Sequence, residues 1–230
     1  MLNIPKVKIC GITNICDARD ALALGADTLG FIFYEKSKRY VSPETAKEIA
    51  AEIRKTETGY EKDFLSVKRN VIITGVFVDE EPEKVKMIIG ESGIDIIQLS
   101  GTESLEYIEN LDADRKIVLK AVHLKEDKDL EKINYFKKAG VNILLDVFDG
   151  KGVYGGTGKP IDLRLLKNVN MDDLIIAGGI GPDNIKYILK TVRPYGIDLS
   201  SKIEDFPGKK NRGKMDLFFK NFKGAAYEIA

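Results

Sequence analysis

Two residues of this 230-residue chain stand where they could move protons. Cys10 ends the apolar run Val7-Lys8-Ile9-Cys10 and is followed at once by Gly11. Asp146 ends a second apolar run, Ile143-Leu144-Leu145. A thiol and a carboxyl delivered at the ends of two separate strands, just before loops, can meet one small molecule as base and acid. Each also has a plainer reading. Free cysteine is commonly a small buried hydrophobe, which suits Cys10 taken alone. A carboxyl ending an apolar run is harder to account for, because burying its charge without a partner or a task is costly. Lys8 is read as facing away from Cys10 and taking no part in activating it. Cys16 is assigned to packing of the first helix. His123, the one histidine, is assigned to a polar rim at the end of the fifth strand.

The elements that must position these groups follow from hydrophobic period. Strands are expected at Val7–Cys10, Thr28–Phe33, Val71–Val78, Ile94–Leu99, Ile117–Val122, Asn142–Val147, Leu174–Ala177 and Gly196–Leu199. They are nearly continuous in apolar residues, as strands covered on both faces are. Helical patterns lie between them. Asn14 caps a helix that ends at Gly25, and Ser42-Pro43 opens the next. Further helices start near Glu81-Pro82, Thr102–Leu105 and Gly181-Pro182-Asp183, with two more at Glu126–Lys138 and Gly213–Phe222. Strict alternation of strand and helix selects a parallel α/β architecture, and about eight units over this length fit a (β/α)8 barrel. The whole chain, residues 1–230, reads as one such TIM-barrel domain, with an open doubly wound sheet as the alternative. The stretch Thr58–Asn70 reads as a charged, irregular insertion, and Gly150–Pro160 as a glycine-rich loop.

Composition narrows the function. Lysine plus arginine equals aspartate plus glutamate at 36 each, so no bulk charge points to nucleic acid or a membrane surface. No apolar run approaches the length of about 18 residues that a membrane span needs, and no secretory signal pattern opens the chain. The 2 cysteines are too few for a disulfide framework, which suits a reducing, cytoplasmic setting. A small-molecule substrate is expected, with the chain a monomer or a homodimer.

Three glycine- or serine-rich segments fall in the loops after the last strands: Gly155-Gly156-Thr157-Gly158, Gly178-Gly179-Ile180-Gly181 and Ser200-Ser201. Glycines let backbone N–H groups approach an anion, a helix start adds positive partial charge, and barrels often bind phosphate after strands seven and eight. Taken singly, each cluster could be no more than a tight turn. One decoy is rejected. Gly208–Lys214 matches the first part of a nucleotide-binding P-loop, but Met215 stands where Ser or Thr would hold magnesium, and no apolar strand precedes it. It is read as a basic helix start. No dinucleotide or zinc motif appears, so neither cofactor nor metal is expected.

Taken in order, Lys8–Thr13, Gly30–Tyr34, Lys36–Pro43, Gly75–Val78, Gln98-Leu99, Leu145-Asp146, Gly155–Gly158, Ala177–Gly179, Asp198–Ser201 and Phe206–Lys210 give a chain that resembles the phosphoribosylanthranilate isomerase family over nearly its whole length. The resemblance implies a (β/α)8 fold and an Amadori rearrangement in tryptophan biosynthesis, with no cofactor or metal. It implies Asp146 as general acid and Cys10 as general base. It further implies Arg39 at the anthranilate carboxylate, and the substrate phosphate on backbone groups of Gly156, Gly178, Gly179, Ser200 and Ser201.

Two positions depart from the family pattern. Ser100 stands where the family usually has histidine, and Lys202 where it usually has glycine. If that glycine needs a positive φ, lysine is strained there; if not, Lys202 adds a cation beside the phosphate. Two other readings compete. An indole-glycerol-phosphate synthase-like lyase needs a lysine at a strand end, and Lys120 sits inside its strand. A degenerate barrel that only binds phosphorylated ligands is suggested by Lys202 and Ser100, and the retained Cys10, Arg39 and Asp146 argue against it.

Overall fold

A computed structural model describes residues 4–56, 61–112, 117–124, 127–147, 163–166 and 169–228. Strand β1, Lys6–Cys10, shows how the sequence builds the wall. Alternation sends Val7 and Ile9 outward into the layer beneath the helices, and Lys8 and Cys10 inward. Helix α1, Ile15–Leu24, starts where the Asn14 side chain accepts the N–H of Asp17 at 2.9 Å. It stops at Gly25, whose φ of 119° a side chain would resist. Strand β2, Thr28–Ile32, leads to α2, Pro43–Thr56, opened by proline in the first turn.

The segment expected to be irregular contains a hairpin. Strands β3, Lys62–Phe64, and β4, Val67–Arg69, pair antiparallel, and residues 58–60 lie outside the described ones. The two turn residues, Leu65 and Ser66, both take left-handed φ values of 51° and 65°, the twist that tight hairpins favour. The turn drives fully buried Phe64 into an apolar cluster with Ile72, Ile96, Leu119, Leu144 and Ile175. Tyr195 holds it there, its hydroxyl accepting the Leu65 N–H at 2.7 Å. The insertion thus plugs the amino-terminal end of the barrel.

Strand β5, Ile72–Phe77, then alternates with α3, Pro82–Ser92; β6, Ile96–Leu99; α4, Leu105–Asn110; β7, Val118–Leu124; α5, Leu130–Lys138; and β8, Asn142–Val147. Between β8 and β9, Leu174–Ile176, the described residues hold one 3-10 turn, Leu163–Leu166. The loop expected at Gly150–Pro160, Gly156 included, lies outside the described residues. Helix α6, Ile185–Thr191, precedes β10, Gly196–Leu199. A short hairpin of β11, Glu204–Phe206, and β12, Lys209–Lys210, precedes the last helix, α7, Arg212–Glu228.

Eight strands close a parallel ring in the order β1-β10-β9-β8-β7-β6-β5-β2. The (β/α)8 barrel is as expected. The register sets Lys8 opposite Asp198, Cys10 opposite Gly30 and His123 opposite Asp146. The hydrophobic layer between strands and helices carries most of the core, and the hairpin closes the floor.

Candidate active site

Strand ends place the chemistry. Cys10, the last residue of β1, and Asp146, near the end of β8, line one cavity at the carboxyl ends of the strands. Arg39, Gly178, Gly179, Ser200 and Ser201 line the same cavity. Ile32, Val76, Val78 and Ile180 add apolar wall, while Gln98, Ser100 and Asp198 add polar groups. Every site residue expected from the sequence, other than Gly156, therefore converges on this cavity.

Cys10 is buried, and that burial, with the nearby Asp198 carboxylate, pushes its thiol above the ordinary value; Lys8 and, less strongly, Lys210 oppose the rise without cancelling it. Lys8 does not face away. Residues two apart on a strand share a face, so Lys8 points inward, and its Nζ and the Cys10 sulfur meet beside Gly30. Its Nζ donates to both Asp198 oxygens at 3.0 Å. Burial opposes the ammonium, but Asp198 and Cys10 outweigh it, and Lys8 stands above its ordinary pKa.

Arg39 reaches the cavity from the loop after β2. Its Nε donates to Glu204 at 2.9 and 3.1 Å and its Nη2 at 2.7 Å, a two-pronged grip. Lys210 donates to the same carboxylate at 2.8 Å and also to the carbonyl of Cys10. The segment expected to be a basic helix start instead sends Lys210, 2% exposed, under β1, and α7 begins only at Arg212. Burial alone would raise the Glu204 carboxyl, but Arg39 and Lys210 hold it below the ordinary carboxylate value. Lys8, Asp198, Glu204 and Lys210 were not singled out from the sequence as site groups. The signal for Lys8 was its spacing of two from Cys10; for the other three it was long-range pairing, which local pattern does not carry.

Gly178 and Gly179 have φ values of 104° and 60°, which glycine adopts without strain. Their N–H groups have no protein acceptor among the described residues. Helix α6 starts at Ile185, later than expected, so these two glycines and the serines after β10 stand on the cavity wall ahead of any helix turn. Lys202 is absent from the described non-glycine residues with left-handed φ, so it is unstrained. A Cβ on Gly181 would stand 2.7 Å from the Lys202 Cβ, so the lysine packs where only glycine fits opposite.

Gln98 donates from Nε2 to Ser100 Oγ at 3.0 Å, while its buried Oε1 has no partner among the described residues. His123 is half-buried, with Nε2 at 3.0 Å from the Ser100 carbonyl. Cys16, expected to pack, is exposed.

The model of the N-(5'-phosphoribosyl)anthranilate isomerase family matches residues 7–221. The chain belongs to this family. An N-(5'-phosphoribosyl)anthranilate isomerase of Thermotoga maritima is 38% identical over 221 residues, covering 95% of this chain and 98% of the relative. One from a Sulfurihydrogenibium species is 41% identical over 214 residues, covering 92% and 96%. A crystal structure of the T. maritima isomerase superposes with a TM-score of 0.81 over 96% of this chain and 99% of that one, at 38% identity. Another phosphoribosylanthranilate isomerase structure, with a TM-score of 0.77 and 36% identity over 96% and 99%, is a complex with reduced 1-(o-carboxyphenylamino)-1-deoxyribulose 5-phosphate. In this isomerase chain, the cavity carries a thiol and a carboxyl on separate strands, with a cationic fork and exposed backbone donors around them.

Proposed function

We propose that the chain catalyses the Amadori rearrangement of N-(5-phosphoribosyl)anthranilate to 1-(2-carboxyphenylamino)-1-deoxyribulose 5-phosphate in tryptophan biosynthesis, with Asp146 as general acid and Cys10 as general base. The observation that carries this reading is the convergence of Cys10 and Asp146 on one cavity with Arg39 and the backbone donors at Gly178 and Gly179. The phosphate sits on the glycine and serine side, and Arg39 faces the anthranilate carboxylate.

Asp146 gives its proton to the ribose ring oxygen. The C1–O bond breaks toward that oxygen, and the nitrogen lone pair closes a C1=N iminium. The thiolate of Cys10 then takes the proton from C2. The C2–H electrons form a C1=C2 bond and the iminium electrons return to nitrogen, leaving an enol-amine. Delivery of the thiol proton to C1 gives the ketone, and the C2 hydroxyl proton replaces the one Asp146 gave. No proton, electron or co-reactant is gained or lost. Each proton transfer by a positioned group is worth about 10²–10⁴-fold in rate.

The lyase alternative needs a lysine presented to the sugar. Lys120 is instead on the outer face of β7, its Nζ donating to Glu103 and to the Gly101 carbonyl, both at 2.8 Å. That commitment favours the isomerase. Among the described residues, no helix is long and apolar enough to cross a membrane. The test is turnover by the purified protein, followed as loss of anthranilate-type fluorescence. The reading expects conversion to the ketose phosphate without added metal or cofactor. Absence of turnover by folded protein would overturn it.

A further inference from the structure

The ammonium of Lys8 has no part in the reaction as written above, yet its side chain is among the largest fully buried ones of the described residues. It is held on two sides. Both Asp198 oxygens lie 3.0 Å from Nζ, and the strand register sets the two residues directly opposite. Its third neighbour is the Cys10 sulfur, which lies with Lys8 Nζ beside the same point above Gly30. The space for that meeting comes from Gly30, opposite Cys10 in the register. A Cβ on Gly30 would lie 2.9 Å from Cys10 Sγ and 3.1 Å from Lys8 Nζ, so any side chain there would wedge against both.

We propose that Lys8 is a positioning residue of the isomerase: its ammonium stabilises the thiolate that Cys10 must form and aims it at the substrate's C2, Asp198 keeps that ammonium in place, and Gly30 supplies the room. The inference rests on the assignment of Cys10 as the base. A thiolate in a dry pocket needs a fixed counter-charge, because its solvation is lost. Three cations (Lys8, Lys210 and Arg39) and two carboxylates (Asp198 and Glu204) surround Cys10 or its direct neighbours. They leave one positive charge, which a thiolate balances. Asp146 faces the same cavity from β8. Lys8 cannot itself be the base while Asp198 holds its proton. It donates a hydrogen bond throughout and changes protonation in no step; the C2 proton goes to sulfur.

Removing Lys8 alone leaves Asp198 buried without a partner, which can unfold the chain. The test therefore uses Lys8→Met with Asp198→Asn, and separately Gly30→Ala, each in a Cys16→Ser background so that Cys10 is the one thiol. Cys10→Ser is run beside them. The readouts are the ultraviolet absorbance of the thiolate against pH, and the pH profiles of kcat and kcat/KM. The double variant is expected to lose about 10²-fold in kcat. Its thiolate titration and the ascending limb of its pH profile should move up together by about one unit or more. Gly30→Ala, with both charges kept, should move both curves in the same direction. A folded double variant whose two curves superpose on those of the parent overturns the inference; if that variant does not fold, unshifted curves in Gly30→Ala overturn it. Parental turnover in Cys10→Ser would instead overturn the assignment of the base itself. An inactive Cys10→Ser beside unshifted curves in the other variants overturns the role of Lys8 alone.

Discussion

Arg39 and Glu204 join the loop after the second barrel strand to the hairpin after the eighth. Two guanidinium nitrogens grip one carboxylate, the shortest contact being 2.7 Å. Only 12% of the arginine side chain and 3% of the glutamate are exposed. The pair fixes the fork at the cavity wall, and Lys210 ties the same carboxylate to the backbone of Cys10. Glu204→Gln should therefore loosen Arg39 and raise KM about tenfold, with a smaller change in kcat. Steady-state kinetics check this. A fall in kcat at constant KM would place Arg39 elsewhere.

The same carboxylate makes stability depend on pH. Arg39 and Lys210, against the effect of burial, hold its folded-state pKa below the unfolded value of 4.5. A depressed carboxyl stabilises the fold fully above the unfolded value, and that stabilisation is lost as pH falls through the folded value. Wild type should melt well above Glu204→Gln at neutral pH, by about 3 kcal/mol for a broken buried pair, and the gap should close in acid. Thermal melts across pH measure it.

Phe64 seals the end of the barrel opposite the cavity. Phe64→Ala should cost about 3–5 kcal/mol of stability by opening a void in the floor. Folded molecules should turn over as before. Denaturant unfolding paired with turnover per folded molecule separates the two effects.

Gly179, at φ 60°, lines the cavity on the side proposed for the phosphate. Gly179→Ala should strain the bend by about 1–2 kcal/mol and raise both KM and the inhibition constant of inorganic phosphate. Unchanged phosphate inhibition would move the anion site away from this bend.

Gln98 presents a buried, unpartnered acceptor to the cavity. A substrate hydroxyl reaching that oxygen would give it a hydrogen bond. Gln98→Leu should raise KM about tenfold without lowering the melting temperature. Substrate kinetics and a thermal melt, read together, decide it.

Much of this was legible in the sequence, for physical reasons. Strands buried on both faces read as apolar runs, so Asn142–Val147 and Gly196–Leu199 have the expected limits. Asn14 and Gly25 bound their helix because capping chemistry is local. Cys10 and Asp146 stood out because they end such runs. Contacts made by distant segments did not show. Lys210 reads as part of a basic helix start, and its burial depends on pairing with Glu204 and on the Cys10 carbonyl. The run around Phe64 looked charged and irregular, since the floor it fills is built by strands that follow it. Lys8 is different: strand alternation alone placed it on the face of Cys10, and the expectation misapplied that rule.

The central claim is that one thiol and one carboxyl divide the proton transfers. The most direct measurement is kcat/KM of Cys10→Ala and of Asp146→Asn against wild type, with folding verified by thermal melt. Losses of at least about 10²–10⁴-fold in both variants are predicted. Wild-type activity in either folded variant would contradict the assignment of that residue.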